Sequence, residues 1–212
     1  MIANVDILVG TRRSLHAVAE SVIAGPQHRR HGTIRLVPCA SGFRGVALGV
    51  AVEGTELVWA GGRASLDGAT CRALGAATGF GAGAPEGLYR DGSGVGLDEV
   101  LAVDDDAAGL LATWFAAGDG VLRLLGADGA PVLWPEHFDL AVVLGDAAFG
   151  VSPGDGDSAE PYAYVSVESP PAGSLWNAPF GASAGIGRFG GPADLQAFFD
   201  QAASELGHQS AR

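Results

Sequence analysis

The sequence predicts an α+β fold: mostly antiparallel sheet or sheets with about four packed helices, in a single compact unit spanning residues 1–212. Three observations predict it. Apolar residues recur at helical spacing near both ends of the chain, with Leu15, Val18, Ala19, Val22 and Ile23 at one and Leu195, Phe198, Phe199 and Ala202 at the other. Between them lie short β-branched and aromatic stretches joined by tight turns, such as Gly145-Asp146, which suit antiparallel rather than crossover pairing. With 48% hydrophobic residues in 212, the chain has ample material for a core.

The first helix is expected over Thr11–Ala24, with Thr11 as N-cap and Gly25-Pro26 as the stop. Strands follow at Thr33–Pro38, Phe43–Leu48, Val50–Glu53 and Glu56–Ala60, the last two forming a hairpin around Gly54. A helix is expected over Leu66–Ala77, weakened by Gly68 and Gly75. Residues 79–99 are glycine-rich and aperiodic, the length of loop that is usually functional, and the one place where a division into subdomains would fall. Asp104-Asp105-Asp106 opens a helix carrying Leu110, Leu111, Trp114, Phe115, Val121, Leu122 and Leu125, which Gly118 and Gly120 would break. Strands are expected at Val132–Trp134, Asp139–Leu144, Ala147–Val151 and Tyr162–Val167. Loops are expected at 153–161 and 169–191, and a last helix at Pro192–Leu206.

Composition excludes several functions. The net charge of −12 opposes binding to nucleic acid or to an anionic membrane surface. All 12 basic residues are arginine, which removes Schiff-base chemistry, lysine-anchored pyridoxal phosphate and the P-loop lysine; no cofactor is called for. Cys39 and Cys71 are too few for a zinc cluster and read as free thiols. No basic region leads the apolar stretch at the N-terminus, and no run of about 18 consecutive apolar residues occurs, so a cytoplasmic protein is the expectation.

Among the motifs, Gly181–Gly185 matches G-x-S-x-G but lacks the strand before it and the helix after it that a nucleophile elbow needs. His28 and His31 stand among Arg29 and Arg30, which disfavours a metal, and Asp104–Asp106 reads as favourable charge at a helix N-terminus. The densest chemistry is Trp134-Pro135-Glu136-His137-Phe138-Asp139. If that segment is extended, His137 and Asp139 share one face, so the carboxylate orients the imidazole for acid–base work; ordinary strand-edge residues are the competing reading. Ser152, Asp155, Glu160, Tyr162, Trp176 and Asn177 add a mixture of polar groups and aromatics suited to the rim of a small-molecule pocket, with Trp134 and Glu136. Tyr89 and Arg90 would close over it, Arg90 matching a carboxylate. His16 reads as an ordinary boundary residue of the first helix.

The segments at 84–94 (APEGLYRDGSG), 133–139 (LWPEHFD), 150–155 (GVSPGD), 160–165 (EPYAYV) and 176–181 (WNAPFG) resemble a family of uncharacterised actinobacterial proteins. Leu15-His16 and Phe138–Val142 are similar to a second bacterial family of unknown function. The resemblance implies one intact domain and no particular activity. Three readings therefore stand: a protein that binds or transforms a small molecule at this rim; an interaction protein or homodimer using its aromatics; and a metalloprotein using His137, Asp139 and His16 or Glu160.

Overall fold

The structure is a computed structural model and describes residues 4–89, 92–126 and 129–207. Its architecture is α+β: ten strands, all paired antiparallel, and four helices among the described residues, the first helix running through three segments. The chain forms two compact units. The first comprises residues 1–113 and 133–138, the second 114–132 and 139–212. The loop 79–99 lies wholly within the first, so the division does not fall there.

The first unit opens with helix α1 (Val5–Ala17), continues through a π-helical segment (Val18–Ala24) and ends in α2 (Gly25–His31). Asn4 rather than Thr11 caps it, accepting from the Asp6 amide. Thr11 and Ser14 are buried, and their hydroxyls accept from the amides of Asp104 and Ala102, while Asp67 accepts from Val103. The residue types that suit a cap are thus spent on a tertiary dock.

Gly25-Pro26 does not stop the helix, and the π segment explains why. In a π turn the N–H of residue i bonds to the carbonyl of residue i−5, and Gly25 does so to Glu20. On that ladder the proline's missing N–H would have gone to Ser21. The Ser21 carbonyl instead accepts from Gly83 at 2.8 Å, so nothing is left unpaired. Gly25 is required for the approach: a Cβ there would fall 1.7 Å from the Gly83 carbonyl oxygen, and one on Gly75 would fall 2.6 Å from the Ala82 nitrogen. Gly25→Ala is therefore expected to cost about 1–3 kcal/mol by overpacking, read as a lower urea midpoint. An unchanged midpoint would mean the 81–84 crossing is not held against the helix.

Strands β1 (Leu36–Cys39), β2 (Gly42–Gly45), β3 (Val50–Glu53), β4 (Glu56–Trp59) and β5 (Gly62–Ser65) form an antiparallel meander, and Leu133 of β6 (Val132–Trp134) pairs with Leu36. β5 carries no apolar alternation to reveal it; it is an exposed edge, tied to β4 by an Arg63–Glu56 bond of 2.9 Å. Helix α3 (Cys71–Thr78) starts later than expected, because Thr70 is extended and caps the Ala73 amide.

Helix α4 (Asp105–Leu122) begins where the acidic run does, with Asp104 accepting from the Ala107 amide. It passes through Gly118 and Gly120 unbroken: a Cβ on Gly118 would lie 2.4 Å from a Val151 methyl, so the glycine admits strand packing rather than ending the helix. With its following turn (Asp105–Leu125) it is, by length and composition, apolar enough to cross a membrane, yet half of that stretch is buried in the protein.

In the second unit β7 (Asp139–Leu144), β8 (Ala147–Ser152), β9 (Tyr162–Ser166) and β10 (Gly181–Gly185) pair in sequence order. β10 occupies the G-x-S-x-G stretch that reads as loop from its composition. Helix α5 (Pro192–Glu205) buries Leu195, Phe198 and Phe199, with Phe199 edge-on to Phe149.

Candidate functional site

Two local irregularities of the first unit meet at one place. The π segment is buried along all seven residues, and it carries Glu20, which is 6% exposed. The second is Phe138, at φ 55 the one non-glycine with positive φ among the described residues. An aromatic in the left-handed region is costly unless its surroundings impose it. Here they do: the Phe138 ring stacks on His16 at 5.4 Å and 8°, and meets Phe43 edge-on at 5.3 Å.

That left-handed residue also overturns the shared face expected for His137 and Asp139. β6 ends at Trp134, residues 135–138 form a turn, and β7 starts at Asp139. Alternation does not run through the turn, since Pro135 and Phe138 break the extended backbone. His137 belongs to the first unit and Asp139 to the second. The His137 side chain is 64% exposed, with Nε2 3.9 Å from the Glu136 carboxylate.

His16 donates from Nε2 to the Pro135 carbonyl at 2.8 Å. A carbonyl can only accept, so Nε2 carries the proton and the neutral ring leaves Nδ1 bare. Burial, outweighing that bond and the attraction of Glu20, pushes its pKa below the usual 6.5; neighbouring His137 adds to the depression. The unfolded chain then takes up a proton that the folded state refuses, so stability falls as pH drops below about 6.5. His16→Phe is expected to flatten that part of the acid limb in urea titrations at pH 7 and pH 5. An equal pH dependence in variant and parent would assign the limb elsewhere.

Glu20 Oε2 accepts from Ser93 twice, from Oγ at 2.7 Å and from the amide at 3.1 Å. Among the described residues no ion pair involves Glu20. The Tyr89 hydroxyl is buried and makes no well-formed hydrogen bond. Burial raises its pKa most, followed by the charge of Glu20 and a loose side-chain hydrogen bond to that carboxylate, with Glu136 adding to it. Cys71, fully buried, is pushed up to about 11 by burial and then by Glu20 and Glu99. That thiol is protonated at neutral pH and is no nucleophile; alkylation of the native protein at neutral pH should leave it unmodified.

Sequence reasoning named Tyr89, Glu136 and His137 of this cluster, set His16 aside, and missed Glu20 and Ser93. A glutamate on an otherwise apolar helix face, preceding Gly-Pro, was the available signal. Trp134 lies apart in its own contact, with the Arg35 guanidinium 6.0 Å from its ring. Arg90 lies outside the described residues.

The second unit gathers four other expected residues differently. Asp139 accepts from the Tyr164 hydroxyl, and Asp155 from the Tyr162 hydroxyl at 2.5 Å. Ser152 neighbours Tyr162 and exchanges bonds with Gly154. Burial first, then the paired aspartates, raise both phenols. Trp176 is buried and donates to Glu205 at 2.7 Å. Asn177 pairs with the backbone of Ser183 in both directions, 3.0 and 2.9 Å, covering part of the β10 edge as another strand would. Glu160 is exposed, and its carbonyl accepts from Ser158. Trp176 and Asn177 thus have structural work.

No three His, Cys, Asp or Glu side chains among the described residues come together as metal ligands would. Fold and site define an antiparallel α+β protein with an irregular buried helix presenting a carboxylate. Comparison of the chain with protein-family models, curated proteins and solved structures returns no match.

Proposed function

We propose that this protein binds a small molecule in its first unit, over the Tyr89 hydroxyl and the Glu20 carboxylate. The observation that carries the reading is the buried Tyr89 hydroxyl, which reaches Glu20 without a well-formed hydrogen bond, beside a buried acid without a counter-ion among the described residues. Buried polar atoms are almost always bonded, and an unmet one costs about 1–3 kcal/mol. The π segment and the left-handed Phe138 add further strain around the same residues, as functional sites often do.

The expected result of an amide-shift screen with a neutral, cationic and anionic fragment library is saturable perturbation at Tyr89, Ser93 and Glu136. Tyr89→Phe should weaken such binding while keeping, or slightly raising, stability, since it deletes a buried hydroxyl that makes no well-formed bond. A library silent at those three amides would remove the reading.

A further inference from the structure

One side of the β1–β5 meander is closed and the other is open. Leu36, Phe43, Val50, Val52 and Leu57 are buried, and a Cβ on Gly45 would meet Gln27 and Ile23, so the first helix lies on that side. Directly facing residues of paired strands share a side of the sheet. Val37 faces Arg44, Arg44 faces Ala51, Ala51 faces Val58 and Val58 faces Arg63, which makes one row across the five strands, away from the helix. Val37, Ala51 and Val58 are partly exposed in that row, and both arginines are fully so.

The charges on the open side are sorted by end. Two residues along from the row, Arg35 stands at one end beside the Trp134 ring. Glu53 and Glu56 stand at the other end and face each other, a placement of like charges that is destabilising unless answered. Arg63 answers Glu56 at 2.9 Å. Glu53, Arg35 and Arg44 are exposed and enter no ion pair among the described residues.

We propose that this open face binds a second copy of the chain about a two-fold axis, with Arg44 of each copy against the partner's Glu53. A positive end, an apolar middle and a negative end complement the same surface turned over onto itself. In a two-fold contact residue i meets j and j meets i, so an axis lying between Arg44 and Glu53 forms both ion pairs at once. Ala51 and Val58 lie beside that axis and meet their own counterparts.

Other occupants fit the pattern less well. An uncharged partner would leave Glu53 and two arginines unanswered, and a wholly acidic one would meet Glu53 and Glu56. The row across five strands measures about 20 Å at ~4.8 Å per strand. That places the contact at the small end of specific interfaces, so the dimer is expected to form at high protein concentration.

The test follows the full chain by sedimentation velocity from micromolar to millimolar concentration, with amide shifts of the parent read over the same range. Dimerisation with shifts at Val37, Arg44, Ala51 and Glu53 is expected. Arg44→Glu and Glu53→Arg should each weaken it by more than about tenfold, because like charges then meet twice across the contact. Mixed in equal amounts, the two variants should recover the dimer, since each new charge then meets its opposite on the other chain; recovery also shows that both variants fold. A parent that stays monomeric throughout would overturn the proposal. So would single variants that dimerise as well as the parent, or monomeric variants whose mixture stays monomeric. Should either variant fail to fold, the parent's own shifts decide, and shifts confined to other surfaces overturn the placement. Shifts at Arg35 and Arg44 on adding oligoglutamate, with no self-association, would replace the second copy by an acidic partner.

Discussion

Phe138→Ala is expected to lower the unfolding free energy by about 3–5 kcal/mol, and Phe138→Gly to be the more stable of the two truncations. The ring is 1% exposed and packs on His16 and Phe43, so its removal forfeits transfer energy and leaves a cavity. The second half of the expectation inverts an ordinary ranking. Glycine is usually about 0.5–1 kcal/mol worse than alanine within regular structure. At φ 55, however, alanine keeps the Cβ clash, worth about 1–2 kcal/mol, and glycine does not. Urea unfolding of the parent and both variants decides it. Alanine equal to or better than glycine would mean that the turn relaxes once the ring is gone, and that no strain is held at Phe138.

Gln27→Leu is expected to cost on the order of 4 kcal/mol, counting about 1 kcal/mol or more for each buried group left unpaired. Gln27 is fully buried, and its amide serves four backbone groups. The nitrogen donates to the carbonyls of Thr33 and Arg35 at 3.2 and 2.9 Å, and the oxygen accepts from the amides of Ala47 and Leu48 at 2.8 and 3.2 Å. One side chain on α2 thereby joins the segment entering β1 to the turn between β2 and β3. Gln27→Glu makes a pH-dependent version of the same test. A carboxylate facing two carbonyls favours its protonated form, which raises its folded pKa above the unfolded value. The variant should therefore be closest to the parent in acid and lose ground as pH rises toward neutral. A pH-independent deficit would show that the network has rearranged rather than lost its donor.

Much of the architecture was legible because its signals are local. Val50–Glu53 and Asp139–Leu144 agree with their expected bounds residue for residue, since apolar alternation and adjacent turn residues lie within the same few positions. The acidic run before α4 and the proline opening α5 marked those helix starts. The misses have one pattern. Gly25-Pro26, Thr11 and Gly118 each carry a local message to stop, cap or break, and each is countermanded by a partner distant in the chain: Gly83, Asp104 and Val151. β5 and β10 were invisible because glycine and serine have no apolar period, and pairing with β4 and β9 alone makes them strands.

For the candidate site the division is similar. Residue types alone directed attention to Glu136, His137 and Tyr89, because ionisable and aromatic side chains crowded around a proline are unusual. They could not place Glu20, which on a helical pattern is simply one acid among apolar neighbours.

The sequence by itself determined the α+β class, the antiparallel pairing, the acidic character and the exclusion of lysine chemistry. These follow from composition and from periods of a few residues, which hold wherever the chain goes. Only the tertiary structure decided that the first helix would widen at Val18–Ala24, that Phe138 would turn left-handed, and that the loop from α3 would bring Tyr89 and Ser93 to Glu20. Each of those outcomes balances a local cost against contacts made from far along the chain, and that balance exists only in the packed state.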